Sequence, residues 1–341
     1  MSPRPSKSST VLDRILSLEI ARVTERAAVA AARLRGRGDE KAADQAAVDA
    51  MRREMGKLPI IGTVVIGEGE RDEAPMLYIG EQLGRGHDEE NTAAPEVDIA
   101  VDPLEGTTLC AKNMPGAIAT MAMAEGDSLL NAPDVYMEKI AIGPGYAKGV
   151  VDLDAPAEEN IRALAKAKGV KPSDITALIL ERPRHADLVA AVRKAGASVR
   201  FITDGDVAGV IHTADPETTG IDIYLGVGGA PEGVLAAAAL ACIGGQMQGR
   251  LVLDTEEKRE RARKMGIKDP RKIYGIHDMV QGDCVFSATG VTSGSMLQGV
   301  RFRNDLIETE TVVMRSATGT VRWVRAEHRQ FGKFEGKFPG E

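Results

Sequence analysis

The stretch DIAVDPLEGTT (98–108) places two acids directly behind a run of apolar residues. Asp102 and Glu105 stand three positions apart, with Pro103 between them. We expect VDIAV (97–101) to form a central strand of an open α/β sheet, and ligands gather at the carboxyl ends of such strands. Pro103 lacks the backbone N–H that a ladder needs, so we expect a turn there. Both carboxylates would then face the same point.

Gly106, Thr107 and Thr108 follow these acids. Glycine lets a ligand approach the backbone closely, and the threonines can begin a helix whose free N–H groups bind an anion. Carboxylates next to an anion site would repel a phosphate unless a divalent cation lay between them, and oxygen ligands of this kind suit Mg²⁺ or Mn²⁺. Taken alone, the stretch is also typical of an Asx-Pro turn with helix-capping acids.

Two more predicted strands end in acids. IGEGERDE (66–73) places Glu68 between glycines, and YLGVGGAPEG (224–233) places Glu232 at the start of a predicted helix. The second run does not match a dinucleotide-binding fingerprint, because a GxGxxG motif would need glycine at Pro231. Three carboxylate clusters at strand ends together indicate a phosphoryl-transfer site with two or three metal ions.

Strands and helices must position these acids. Apolar residues at helical spacing predict helices at 10–35 and 42–57. After Pro156, strands and helices alternate, as in a parallel or mixed sheet with helical crossovers. The other predicted elements are strands at 60–67, 136–145, 147–154, 176–181, 198–203 and 221–227, a hairpin at 117–130 turning at Gly126-Asp127, helices at 157–168, 185–195, 206–212 and 232–243, and further strands within 273–328.

Composition excludes several classes of protein. The 341 residues carry a net charge of −7, whereas nucleic-acid binders usually have a basic face. The three cysteines form no CxxC pair, which is typical of a reducing compartment without a disulfide framework or a zinc motif. No apolar run reaches the roughly 18 residues of a membrane span. We therefore expect a cytoplasmic protein with neither a membrane nor a nucleic-acid partner.

The acidic motifs also carry a family resemblance. GEGE, DPLEGT and GGAPEG, in this order, resemble the metal-dependent, lithium-sensitive sugar phosphatase superfamily, which includes inositol monophosphatases and fructose bisphosphatases. The chain is more closely similar to the class II (GlpX-type) fructose-1,6-bisphosphatases, from about residue 12 to residue 327. The motifs that carry this similarity are GRGDEKAADQAAVDAM, VVIGEGERDEAPMLYIGE, NAPDVYMEK, ERPRH, DGDVA, VGGAPEGV and FSATGVTSG.

The resemblance implies a layered α/β sugar-phosphatase fold with alternating helix and sheet layers. It also implies Mg²⁺- or Mn²⁺-dependent hydrolysis of the 1-phosphate of fructose-1,6-bisphosphate to fructose 6-phosphate, in gluconeogenesis or the Calvin cycle, by a homodimer or homotetramer. TTLCAKNMPG (107–116) is similar to the cyanobacterial branch, whose members also act on sedoheptulose-1,7-bisphosphate. Two alternatives stay open: an inositol-phosphate or nucleotide phosphatase of the same superfamily, and a non-catalytic sugar-phosphate sensor.

By the same resemblance, Thr107 orients and deprotonates the attacking water, with Asp44 accepting a hydrogen bond from its hydroxyl and Glu68 completing the catalytic group. The implied metal ligands are Asp44, Glu68, Asp102, Glu105 and Glu232. The implied substrate-binding residues are Glu105, Gly106, Thr107, Tyr136, Arg182, Pro183, Arg184, Asp204, Gly205, Asp206 and Gly229.

We expect Arg182 and Arg184 to hold the distal phosphate. In an extended segment stiffened by Pro183 both side chains would point the same way, and each guanidinium can grip phosphate oxygens through two hydrogen bonds. We expect His185, which follows them, on an exposed helix surface.

The chain length, and the change in the order of strands and helices after Pro156, predict two domains. We place a metal- and phosphate-binding α+β domain at 11–172 and a sugar-binding α/β domain at 173–330, with tails at 1–10 and 331–341. The first ten residues, MSPRPSKSST, are polar and basic without the apolar core of a secretory signal, so we expect them to be disordered.

Overall fold

The structure, a computed structural model, describes residues 16–67, 77–87 and 94–334. In chain order its elements are α1 (Leu16–Ala32), α2 (Glu40–Met55), β1 (Ile61–Ile66), β2 (Gln82–Leu83), β3 (Glu96–Glu105), α3 (Thr107–Ala111), β4 (Ile118–Glu125), β5 (Tyr136–Ile142), α4 (Ala157–Lys168), β6 (Thr176–Leu180), α5 (Ala186–Lys194), β7 (Ser198–Ile202), α6 (Asp206–Ile211), α7 (Pro216–Thr219), β8 (Ile223–Gly229), α8 (Ala230–Ile243), β9 (Gln246–Leu251), α9 (Glu256–Lys264), β10 (Tyr274–Gly275), α10 (Ile276–Met279), β11 (Cys284–Gly290), β12 (Arg301–Phe302), β13 (Ile307–Arg315) and β14 (Thr320–His328).

Helices and sheets alternate in five layers within the described ranges. The outermost layer is formed by α1 and α2, which pack against each other and against one face of the first sheet. That sheet has the strand order β12–β13–β11–β4–β3–β1–β2, with β14 pairing with β13. β1 and β3 run parallel, whereas β3 and β4 run antiparallel, so the sheet is mixed. The predicted α/β class with alternating helix and sheet layers is confirmed.

The middle layer consists of α6, α8 and α10, which lie between the two sheets. α8 contacts strands of both sheets, and every side chain from Val234 to Leu240 is buried. Because this run is rich in alanine, its small side chains leave room for a sheet on each side. Glu232, in the first turn of α8, is therefore carried between the two sheets.

The second sheet has the strand order β10–β9–β5–β8–β6–β7 and is also mixed. α4 and α5 cover its outer face, where Ile161, Leu164 and Val192 pack on Ile179 and Ile223. Leucine, isoleucine and valine fill this third core, so the parallel strands β6 and β8 are buried on both faces, whereas β7 is largely exposed.

The strand that carries the opening acids is longer than predicted. β3 continues through Asp102 to Glu105, and its pairing with β4 shifts register between these residues. Asp102 lies opposite Thr120, and Glu105 lies opposite Ile118. The expectation that Pro103 ends the ladder is therefore wrong: Pro103 lies in the irregularity, where its missing N–H breaks no ladder bond.

The hairpin predicted at 117–130 is also wrong in its second half. The chain does turn at Asp127, which has a φ of 61°. The carboxylate of Asp98 then accepts the backbone N–H groups of Ser128 and Leu129 at 2.8 and 2.9 Å. These bonds direct the chain away from β4, and Leu129 forms a bridge with Val280 instead.

Residues 147–154, all of them described, form turns rather than the predicted strand. Gly149 has a φ of 80°, in the left-handed region, and Asn160 holds the segment by donating to the carbonyl of Asp152 at 2.8 Å. β9 and α9 were not predicted, because QMQGRL lacks β-branched residues and the helix EEKRERARK has a single buried residue, Ala262.

Strands from both ends of the chain build the first sheet, since β11 to β14 return to it after β5 to β10 have formed the second. The domain division near residue 172 stays a prediction. Phe331–Phe334 forms a 3₁₀ turn against α1 and Phe334 is buried, so this part of the tail predicted at 331–341 is folded. Residues 1–10 lie outside the described residues. Among the described helices, none has the length and apolar character needed to cross a membrane.

Candidate active site

The end of β3 places two carboxylates side by side. Asp102 Oδ1 accepts the backbone N–H of Leu104 at 3.2 Å. Glu105 is the last residue of the strand, and the chain then turns at Gly106, whose φ of 84° favours glycine. Glu105 is only 5% exposed, and its Oε1 accepts the backbone N–H of Val207 at 2.7 Å. The Glu105 side chain therefore reaches from the first sheet to the start of α6.

A third carboxylate comes from α8. Glu232 lies in the first turn of this helix, directly behind β8. Its side chain folds back over Gly229, where a Cβ would lie 1.8 Å from Glu232 Oε2. Oε2 is buried and has no hydrogen-bond partner among the described residues. A buried acceptor without a donor is costly, and an oxygen of this kind fits a cation ligand.

Asp102, Glu105 and Glu232 form one cluster, since each offers an oxygen within 4.8 Å of the other two. Burial raises the pKa of Glu105 well above its ordinary value, and the charge of Asp102 raises it further. Burial also raises the pKa of Glu232, and the charge of Asp206 adds to this effect. Oxygen donors that are unfavourable as uncompensated anions fit a hard divalent ion such as Mg²⁺ or Mn²⁺. Glu68, which was also predicted as a metal ligand, lies outside the described residues.

Thr107 begins α3, immediately after Gly106. α2, which carries the half-buried Asp44, packs against α3. The loop before α2 is held in place as well, because the N–H groups of Gly36 and Gly38 donate to carbonyls of α3 at 2.9 and 3.0 Å. The fold thus brings the helices of Asp44 and Thr107 together, and their roles in proton transfer stay a prediction.

The DGD motif lies beside the carboxylate cluster. Gly205 has a φ of 82°, and a Cβ there would lie 3.9 Å from Glu105 Oε1. Burial raises the pKa of Asp204, although the backbone N–H of Gly205 donates to its carboxylate. Asp206 is 5% exposed and begins α6. These three predicted residues therefore form one wall of the site, at the junction between the two sheets.

A lysine that sequence reasoning missed completes this wall. Lys139 on β5 is 1% exposed and donates to Asp206 Oδ2 at 2.5 Å and to the carbonyl of Gly229 at 2.8 Å. Tyr224 donates to the same Oδ2 at 3.1 Å. Strand alternation could have revealed Lys139, since it shares a face with the fully buried Met137 two positions earlier.

Arg182 and Arg184 diverge, so the expectation that both point the same way is wrong. Pro183–His185 is a 3₁₀ turn rather than an extended segment. Arg182 donates to the carbonyl of Thr203 at 2.7 Å, at the end of β7. Arg184 turns the other way, donates to the carbonyl of Val227 at 2.6 Å, and stacks 4.7 Å above the ring of Tyr136. The structure therefore brings Arg184, but not Arg182, into contact with Tyr136.

His185 is 2% exposed, so its predicted surface position is also wrong. Its Nε2 accepts the N–H of Val227 at 2.9 Å, and its Nδ1 lies 2.7 Å from the carbonyl of Leu180. The ring is therefore neutral with the proton on Nδ1, and burial lowers its pKa. His185 links β6 to β8 directly behind Arg184.

Comparison with known proteins agrees with this arrangement. A family model described as "Bacterial fructose-1,6-bisphosphatase, glpX-encoded" matches residues 14–328. A "D-fructose 1,6-bisphosphatase class 2/sedoheptulose 1,7-bisphosphatase" of Synechococcus sp. (strain JA-3-3Ab) is 45% identical over 341 residues, covering 94% of this chain and 98% of the relative. A protein of the same name from Synechococcus elongatus is 42% identical over 336 residues, covering 93% of this chain and 97% of the relative. The match extends over nearly the whole chain and includes every element of the carboxylate cluster, and the chain belongs to the GlpX-type class II fructose-1,6-bisphosphatase family.

Proposed function

We propose that this protein hydrolyses the 1-phosphate of fructose-1,6-bisphosphate to fructose 6-phosphate and phosphate, and that it acts on sedoheptulose-1,7-bisphosphate as well. The observation that carries the proposal is the cluster of Asp102, Glu105 and Glu232, whose oxygens lie within 4.8 Å of one another. The names of the 42–45% identical relatives support both substrates.

The carboxylates of the cluster would hold Mg²⁺ or Mn²⁺, with Asp44 and Glu68 as further ligands. When bound, such ions neutralise phosphate oxygens and lower the pKa of water. The chain supplies the remaining chemistry. Thr107 orients the attacking water through its hydroxyl, Asp44 accepts the hydrogen bond of that hydroxyl, and the backbone of Gly106 and Thr107 contacts the scissile phosphate.

The far end of the substrate lies against the second sheet. Arg184, stacked on Tyr136, binds the distal phosphate, and Arg182 adds positive charge at the end of β7. Asp204 and Asp206 accept hydrogen bonds from sugar hydroxyls. Gly205 supplies the left-handed turn between these two acids, and Gly229 leaves the space that the Glu232 carboxylate occupies.

The assembly and location are part of the proposal: a homodimer or homotetramer in the cytoplasm. Alanine-rich α8 offers no surface for a subunit interface over Val234–Leu240, because these side chains are buried within their own chain. Light scattering on the purified protein would measure the subunit number directly.

Phosphate release assays would test the proposed activity. The purified protein is incubated with fructose-1,6-bisphosphate, sedoheptulose-1,7-bisphosphate, inositol 1-phosphate and a nucleoside monophosphate, each with Mg²⁺, with Mn²⁺ and with excess chelator. We expect metal-dependent release from the two sugar bisphosphates. Preferred turnover of inositol phosphate or nucleotide would assign the other phosphatase class, and binding without any turnover would indicate a sensor.

A further inference from the structure

Lys139 is a buried cation next to a group of buried carboxylates. It is 1% exposed, and Asp206 and Glu105, which lie nearby, are each 5% exposed. The charge of Asp206 raises the pKa values of both Glu105 and Glu232, so Asp206 lies close enough to interact electrostatically with the carboxylate cluster. Even so, Asp206 is not one of the three described residues whose oxygens converge within 4.8 Å.

The contacts of Asp206 explain why its carboxylate is not part of the cluster. Lys139 Nζ and Tyr224 OH both donate to Oδ2, at 2.5 and 3.1 Å. Charge-assisted bonds of the Lys139 type are about twice as strong as neutral ones. An ammonium and a divalent ion compete for the same carboxylate, and here the ammonium already holds one of its oxygens.

The backbone around the pair is shaped to fit it. A Cβ at Gly228 would lie 1.9 Å from Asp206 Oδ2 and 3.0 Å from Lys139 Nζ. Lys139 also donates to the carbonyl of Gly229, at 2.8 Å, directly before the helix that carries Glu232. One ammonium group therefore fixes Asp206 and the start of α8 relative to each other.

We propose that Lys139 is a positioning residue that reserves Asp206 for the hydroxyls of the sugar and keeps this carboxylate from becoming a metal ligand. The inference rests on the proposed function, because it takes Asp206 as a sugar-binding residue. Its consequence is unusual for a buried polar residue. Loss of Lys139 weakens substrate binding and at the same time strengthens metal binding, because Asp206 becomes an additional free anion beside Glu105 and Glu232.

The test measures metal and substrate binding separately. Mn²⁺ binding to the metal-free protein, without substrate, is followed by electron paramagnetic resonance, and kcat and KM are measured at saturating Mn²⁺. For Lys139→Met we expect the Mn²⁺ dissociation constant to fall roughly three- to tenfold, since a like charge is removed beside the ion. We expect KM for fructose-1,6-bisphosphate to rise roughly tenfold or more.

Matched variants separate this role from simple packing. Lys139→Arg keeps the charge and should restore both values towards those of the unchanged protein. In the double variant Lys139→Met with Asp206→Asn, the gain in Mn²⁺ affinity should vanish, because the amide does not replace the anion. Lys139→Gln keeps a hydrogen-bond donor and serves as the uncharged variant if Lys139→Met does not fold.

Weaker Mn²⁺ binding in the folded uncharged variants, or a gain that persists in the double variant, would overturn the inference. So would unfolding of both uncharged variants while Lys139→Arg folds, since Lys139 would then be structural. The Mn²⁺ measurement needs no turnover. If the unchanged protein releases no phosphate from either sugar bisphosphate, the proposed function fails, while the effect of Lys139 on metal binding is still decided.

Discussion

The carboxylate of Glu232 lies over Gly229, so close that a Cβ at position 229 would be 1.8 Å from Oε2. Gly229 has a φ of −64°, which alanine adopts without strain. Gly229→Ala should therefore displace the Glu232 carboxylate and lower Mn²⁺ affinity by roughly tenfold or more, as measured by electron paramagnetic resonance. Gly56→Ala is the matched control, because its φ is −59° and its nearest contact is 3.6 Å away. Unchanged Mn²⁺ affinity in Gly229→Ala would show that Glu232 does not bind the metal.

The effect of metal on stability should depend on pH. The pKa values of Glu105 and Glu232 are raised in the folded, metal-free protein, mainly by burial. The folded protein therefore binds these two protons more tightly than the unfolded chain does. This contribution to the free energy of unfolding is fully present below the ordinary carboxyl pKa and is lost as the pH rises through the raised pKa values of the folded state. Metal binding needs the ionised acids, so the increase in Tm on adding Mn²⁺ should grow over the same interval. Calorimetry with and without Mn²⁺ measures this, and Glu105→Gln should flatten the dependence. An increase in Tm that is constant with pH would contradict the assignment.

Thr107 should act in the chemical step rather than in binding. It begins α3 directly behind Glu105 and Gly106, and the helix of Asp44 packs beside it. Thr107→Ala should lower kcat by roughly 10²–10⁴ with little change in KM, because the hydroxyl helps proton transfer. Thr107→Ser keeps the hydroxyl and should retain much more activity. Equal losses in the two variants would give Thr107 a packing role.

Arg184 should matter most for substrates with two phosphates. It stacks 4.7 Å above the Tyr136 ring, and no ion pair with an acid is found for it among the described residues. Arg184→Ala should cost about 2–4 kcal/mol in kcat/KM for fructose-1,6-bisphosphate, and far less for a sugar monophosphate. Arg162→Ala, on the exposed side of α4, controls for the change in net charge. Equal losses with both substrates would mean that Arg184 binds the scissile phosphate or has only a structural role.

The sequence predicted the carboxylate cluster because each acid lies next to a local signal. Asp102 and Glu105 follow a β-branched strand, and Glu232 follows a glycine-rich strand end. Such signals depend on a few neighbouring residues, which are read directly from the chain. The layered α/β class was predictable for the same reason, since strands and helices alternate regularly after Pro156.

Residues whose positions depend on distant contacts were predicted wrongly or missed. Strand alternation assigns Lys139 to the buried face of β5, but its partners are defined only when β8 and α6 bring Gly229 and Asp206 to it. His185 is buried because β8 supplies the N–H of Val227, 42 positions further along the chain. No local pattern encodes these pairings, so the sequence could not indicate the side-chain directions at this wall of the site.

Metal dependence of phosphate release is the most direct test of the central claim that Asp102, Glu105 and Glu232 hold the divalent ions that drive hydrolysis. The measurement is phosphate release from fructose-1,6-bisphosphate by the unchanged protein and by Asp102→Asn, at fixed Mn²⁺ and in excess chelator. Asp187→Asn, on α5, serves as the control for an acid elsewhere on the protein. We predict that chelator abolishes turnover, that added Mn²⁺ or Mg²⁺ restores it, and that Asp102→Asn stays folded by circular dichroism while losing most of its turnover. Full turnover in chelator, or by Asp102→Asn at unchanged metal, would contradict this account.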